Sequence, residues 1–322
     1  MPVLVGISGT KLENRQIELL QKYRPVGILL FGENCESEEQ VKSLTASLKK
    51  MGFIIAVDLE GKSINRFKKF YPLDKDACDF KNASLEEIYD YHYNIARYAK
   101  NLGIDIILGP VSDVCGDTSL FMFKRCFSDD PRRVAECVGV VVKAYQDAGI
   151  YSVIKHLPGH GKAIDSHKFL PTVYASEQEL KKCDILASEI VIKNLKAQKK
   201  PLPGAMVSHV IYNAFDENFP ASLSKIIIKK VIREQIGIGK GLIFSDDLRM
   251  QAIDKFMERS KKLESENSKQ DNNILLALNG FLQAGGDIAI FNCIENLDEK
   301  KLAKILKKTK IMWKILKVIR LK

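Results

Sequence analysis

The sequence predicts an α/β protein built as one single-domain (β/α)8 barrel of the TIM type. Eight short apolar runs recur along its 322 residues with helical segments between them. Runs that are apolar throughout, without alternation, mark parallel strands buried on both faces. Several finish on a polar residue (Asp58, His156, His209, Asp246), and the C-terminal rim of such a barrel is where active sites are built. No linker-rich stretch divides the chain. A doubly wound sheet would also end its strands at a ligand crevice, but it need not have eight of them.

In order, the runs are VLVGIS (3–8), VGILLF (26–31), FIIAVD (53–58), IDIILG (104–109), YSVIKH (151–156), GAMVSH (204–209), GLIFSD (241–246) and DIAIFN (287–292). The first is the weakest, because the helix-like KLENRQIELLQKY follows almost at once. Ser84 is placed to cap the helix LEEIYDYHYNIARYAKNLG, with Glu87 at capping-box spacing and Gly103 as its stop. His92 inside it reads as a plain packing or surface residue, because helix interiors of a barrel face away from the rim. The segment after Met250, QAIDKFMERSKKLESENSKQDNN, reads as a solvated helix or a loop. Residues 1–299 are therefore expected to form the barrel, and 300–322 a basic amphipathic helix packed on it. Such a helix also suits an anionic membrane surface, the alternative reading.

Composition narrows the functional classes. The net charge is +10, yet the segment from Lys300 to Lys322 holds ten bases and no acid, which leaves 40 bases against 40 acids in the rest. There is thus no compositional case for a nucleic-acid surface on the body. No apolar run approaches the roughly 20 residues that span a membrane, and the opening residues do not read as a secretory signal. The seven cysteines form no Cys-x-x-Cys pair, which argues against a disulfide framework and a zinc site and for reduced thiols in a cytoplasm. No metal and no cofactor are expected.

Chemistry concentrates in YSVIKHLPGHGKAIDSHKFLP (151–171), which holds three of the five histidines, His156, His160 and His167. The strand breaks at Pro158 and Gly159 into a loop. Asp165 stands two residues before His167, where a carboxylate can orient an imidazole. An oriented imidazole transfers protons near neutral pH.

KHLPGHG followed by DSH resembles the signature of the family 3 glycoside hydrolases, in particular their bacterial cytosolic β-N-acetylglucosaminidases, where it reads KHFPGHG and then D-x-H. The resemblance runs from VGILLF near the start to GGDIAIF near the end. It implies roles for particular residues. In AVDLEGKSINRF, close to the family's D-x-E-G-G-R-V-x-R-F, Asp58 and Arg66 match sugar contacts, while Lys62 and Ser63 depart from the pattern. FKRCFSDDP makes Arg125 a substrate arginine, and GPVSDV makes Asp113 a brace of the rim. Lys155 and His156 match residues that bond sugar hydroxyls. His209, in M-x-x-H-V, is expected in the pocket or beside the nucleophile. In GLIFSDDLRM the first acid, Asp246, matches the nucleophile, and Asp247 is expected to point elsewhere.

The resemblance therefore implies a retaining exo-β-N-acetylglucosaminidase that removes terminal N-acetylglucosamine from peptidoglycan-derived muropeptides. Asp246 is the expected nucleophile and His167 the acid/base, oriented by Asp165. The alternatives are a family 3 β-glucosidase with altered sugar preference and a catalytically weakened muropeptide-binding protein. The expected partner is a small carbohydrate alone, with no nucleic acid and no integral membrane segment, bound by a cytoplasmic monomer.

Overall fold

In the computed structural model, which describes residues 1–261 and 270–292, each of the eight apolar runs is a strand. They are β1 (Val3–Val5), β2 (Gly27–Leu30), β3 (Ile54–Val57), β4 (Ile106–Ile107), β5 (Tyr151–Leu157), β7 (Gly204–Val207), β9 (Ile243–Asp247) and β10 (Ile288–Phe291). Their order, β1-β10-β9-β7-β5-β4-β3-β2, closes on itself, and every pairing is parallel. The single-domain barrel is the fold.

Alternation along each strand builds two cores. In β3, Ile54 and Ala56 join the cluster inside the barrel with Leu29, Val153 and Phe244, while Ile55 and Val57 face the layer beneath the helices. The interior is thus filled by side chains, as an eight-stranded barrel requires. β4 is the shortest barrel strand. Pro110, lacking an N–H, follows it, and the ladder resumes only as the Val111–Lys155 bridge.

Helices fill the intervals: α1 (Asn14–Tyr23), α2 (Glu38–Lys50), α3 (Leu85–Asn101), α4 (Pro131–Asp147), α5 (Glu177–Lys182), α6 (Asp184–Ala197), α7 (Gln251–Lys261) and α8 (Gln270–Ala284). Ser84 caps α3 by accepting the N–H of Glu87 at 3.1 Å, and Gly103 turns the chain out at φ +84°. His92 is 2% exposed among the rings of Phe80, Tyr91, Phe127 and Tyr145. Burial lowers its pKa to about 3.

Three features differ from the sequence reading. Ile227–Gln235 is a π-helix, with Ile236 N–H donating to Val231 C=O. The chain after Met250 is not a wholly solvated helix: Ala252, Ile253, Phe256 and Met257 of α7 are buried, one apolar stripe at helical spacing. And β6 (Thr172–Val173) pairs with β8 (Ile211–Tyr212) in a small separate sheet, tying the chain after Pro171 to the loop beyond β7. The basic segment 300–322 lies outside the described residues. Among the described residues the cysteines are free, and no helix is long and apolar enough to cross a membrane.

Candidate active site

The floor of the rim is a closed charge network. Asp58, the first residue past β3, accepts Arg66 Nη2 at 2.8 Å and Lys155 Nζ at 2.9 Å. Lys155, on β5, also lies 2.5 Å from Glu60 Oε1. Glu60 takes the Arg125 guanidinium by two parallel bonds of 2.8 Å, the forked geometry that suits a planar pair. Burial alone would push both carboxyls up, but the cations win. Asp58 is held well below the carboxylate range by Lys155 and Arg66, and Glu60 falls to about 2 beside Arg125 and Lys155. Burial disfavours a charged Lys155, yet Asp58 and Glu60 raise its pKa.

Arg125 Nη2 also lies 3.2 Å from His156 Nε2. Arginine has no acceptor, so His156 Nε2 accepts, and its Nδ1–H donates to Asp113 Oδ2 at 2.7 Å. Asp113, 1% exposed, also accepts the backbone N–H of His160 at 2.7 Å. Burial would raise it, but His156 and His160 hold it below the ordinary range. It braces the rim from behind.

Asp246 lies near the end of β9, with Oδ1 accepting the N–H of Asp247 at 2.8 Å. Its burial is outweighed by the imidazoles of His156, His209 and His167, which lower its pKa. Asp247, expected to point elsewhere, also lines the cavity beside Asp246; its Oδ1 accepts the N–H groups of Arg249 at 3.0 Å and Asn292 at 3.3 Å, and burial raises it to about 6. His209 is fully buried. Its Nε2–H donates to the Asp247 carbonyl at 3.0 Å, so its Nδ1 accepts from Ser222 Oγ at 2.8 Å.

The loop after β5 starts from a tight base. A Cβ on Gly159 (φ +150°) would stand 2.0 Å from Asp184 Cβ, and one on Gly161 would stand 2.0 Å from the Val114 carbonyl, so only glycine lets the loop press this closely. Asp184 accepts the Val114 N–H at 2.9 Å, and burial with Asp113 nearby raises its carboxyl to about 7. His160 is buried in the loop, 3.0 Å from Ser166 Oγ. His167, by contrast, has a side chain 58% exposed, with Nδ1 2.8 Å from Asp165 Oδ1. Phe121 meets its ring edge-on at 5.7 Å. From α7, Lys255 donates to the Lys168 carbonyl and lies over the Phe169 ring at 4.9 Å.

These groups surround a cavity of about 330 Å³, the volume of a small-ligand site. Asp58, Arg66, Arg125, Lys155, His156, His167 and Asp246 all line it. Two residues expected at the site do not: Asp165 stands behind His167, and His209 behind Asp247. Sequence reasoning passed over Glu60 and Phe121, which do line it. Glu60 was visible as the acid of D-x-E-G, while nothing marked Phe121. Lys62 and Ser63 lie off the cavity, with Ser63 Oγ donating to Asp76 at 2.6 Å.

The arrangement offers a half-buried, ionised carboxylate facing the cavity, an imidazole on a loop above it, and fixed cations and anions for hydroxyls. The model described as glycosyl hydrolase family 3 N terminal domain matches residues 3–320. A β-hexosaminidase of Photobacterium profundum is 32% identical over 259 residues, 79% of this chain and 75% of its own length. The β-N-acetylglucosaminidase structure from Thermotoga maritima superposes with TM-score 0.79 at 29% identity, covering 99% of this chain, which spans 65% of that protein's length. Native NagZ from Neisseria gonorrhoeae gives TM-score 0.76 at 28% identity over 96% of this chain and 85% of its own.

Proposed function

The chain belongs to glycosyl hydrolase family 3, and from that premise we propose that it is a retaining exo-β-N-acetylglucosaminidase. Its proposed substrate is a peptidoglycan-derived muropeptide, from which it removes terminal N-acetylglucosamine in the cytoplasm. The names of its relatives, β-hexosaminidase and β-N-acetylglucosaminidase, support the sugar. The observation that carries the chemistry is that Asp246 and His167 line one sugar-sized cavity from different supports, a strand end and a loop.

Retention needs a nucleophile and a proton donor on the two sides of the glycosidic bond. In this reading Asp246 attacks the anomeric carbon, forming a glycosyl-enzyme ester as the C–O bond to the leaving group breaks. His167 Nε2 gives its proton to the departing oxygen. It then takes one from the water that hydrolyses the ester, while Asp165 at Nδ1 orients the ring and stabilises the imidazolium. Asp58, Lys155, His156, Arg66 and Arg125 hold the sugar's polar groups. His209 acts from behind by fixing the Asp247 carbonyl.

The purified protein is expected to release N-acetylglucosamine from a muropeptide and to cleave an aryl β-N-acetylglucosaminide faster than the matching β-glucoside. Faster cleavage of the glucoside would overturn the sugar assignment.

A further inference from the structure

At the opposite, N-terminal mouth of the barrel lies a second and larger cavity, about 750 Å³. It opens where β3 and β5 begin and where the loops enter β4, β7 and β9. Phe53, Leu202 and Ile238 give it apolar walls, and Lys49, Lys100, Lys196 and Lys240 stand on its rim with Asp105 as the lone acid in the lining.

The lysines are only partly explained by the fold. Helices α2, α3, α4 and α6 end at this mouth, and lysines answer the partial negative charge of helix C-termini. Lys49 is further matched by Asp105 at 2.9 Å, and Lys100 donates to the Gly149 carbonyl at 2.8 Å. Lys196 and Lys240 have no carboxylate partner among the described residues, and Lys240 lies in a loop outside any helix. By count the lining carries four lysines against one aspartate, and Lys240, outside any helix, is not matched by a helix end.

We propose that this mouth binds a small organic anion, an aromatic or otherwise apolar body bearing a phosphate or carboxylate. The body lies on Phe53, Leu202 and Ile238, and the anion meets Lys196 and Lys240. The site is separate from the cavity at Asp246 and does not depend on the reaction assigned there.

Calorimetric titration of the full chain with 1-naphthyl phosphate tests it, beside 1-naphthol and inorganic phosphate. One naphthyl phosphate should bind per chain, about tenfold or more tighter than either fragment. The exposed double variant Lys196→Ala/Lys240→Ala should weaken it about tenfold, and Arg66→Ala, in the other cavity, should leave it unchanged. The proposal is overturned if binding does not saturate, if naphthol binds equally well, if the lysine pair has no effect, or if Arg66→Ala abolishes binding.

Discussion

Arg125 holds Glu60 by two parallel bonds, Nε to Oε2 and Nη2 to Oε1, both 2.8 Å long, with the two side chains 9% and 7% exposed. Removing one member of such a pair leaves a dry, unmatched charge, at a cost of about 3–5 kcal/mol. Glu60→Ala should lower unfolding free energy in urea by about that amount, since Lys155 loses a partner too, and Glu60→Gln by less. An unchanged urea midpoint for Glu60→Ala would show that the network does not hold the rim together.

The same residue sets an acid limit. Glu60 is depressed from 4.5 in the open chain to about 2 in the fold, so on acidification the unfolded chain takes up the proton first. Its stabilisation is complete above pH 4.5 and is lost as pH falls towards 2, and Asp58 acts in the same direction. The melting temperature should therefore fall steeply over that range, and the slope should be shallower in Glu60→Gln.

Asp184 works with the opposite sign. Its carboxyl rises from 3.8 to about 7 on folding, so between those values the folded chain binds more protons and stability declines as pH rises. Asp184→Asn keeps an acceptor for the Val114 N–H and removes the ionisation. Its melting temperature should exceed the parent's above pH 4, with a gap that widens to about pH 7 and then stays level. A gap that is constant with pH would mean that Asp184 does not titrate there.

The roles proposed for Asp246 and His167 separate by leaving group. Asp246→Ala should abolish cleavage of every substrate. His167→Ala should slow a natural disaccharide by about 10²–10⁴-fold, the usual weight of general acid catalysis, and an activated aryl glycoside far less, because that leaving oxygen needs little protonation. Equal losses on both substrates, with a fluorosugar adduct still forming on Asp246, would exclude His167 as the acid.

Fold and site were not equally legible. The eight strands could be read because a parallel barrel buries both faces of each strand, leaving uninterrupted runs such as FIIAV and GAMV. The π-helix at Ile227–Gln235 could not, since its spacing of apolar residues also fits an ordinary helix. The apolar stripe of α7 was masked by the charged residues around Phe256. At the site, strand-end residues such as Asp58 and Asp246 announced themselves by breaking an apolar run. Phe121 carried no such mark, because its place beside His167 depends on where two loops meet. His209 was legible as a polar strand-end residue, but its turn towards Ser222 and the Asp247 carbonyl is decided by tertiary packing.

β1 pairs with β2 on one side and β10 on the other, Leu4 beside Gly27 and Ile290. Among the described residues, the first barrel strand in sequence thus shares a seam with the last. At about 5–20 residues per second, roughly 15–60 s of synthesis separates the two, and throughout that time the backbone edge of Val3–Val5 lacks half its ladder. An apolar strand with an open edge recruits other chains. Barrel closure therefore waits until β10 has been made, and protecting the edge of β1 until then is expected to decide how much chain reaches the native state.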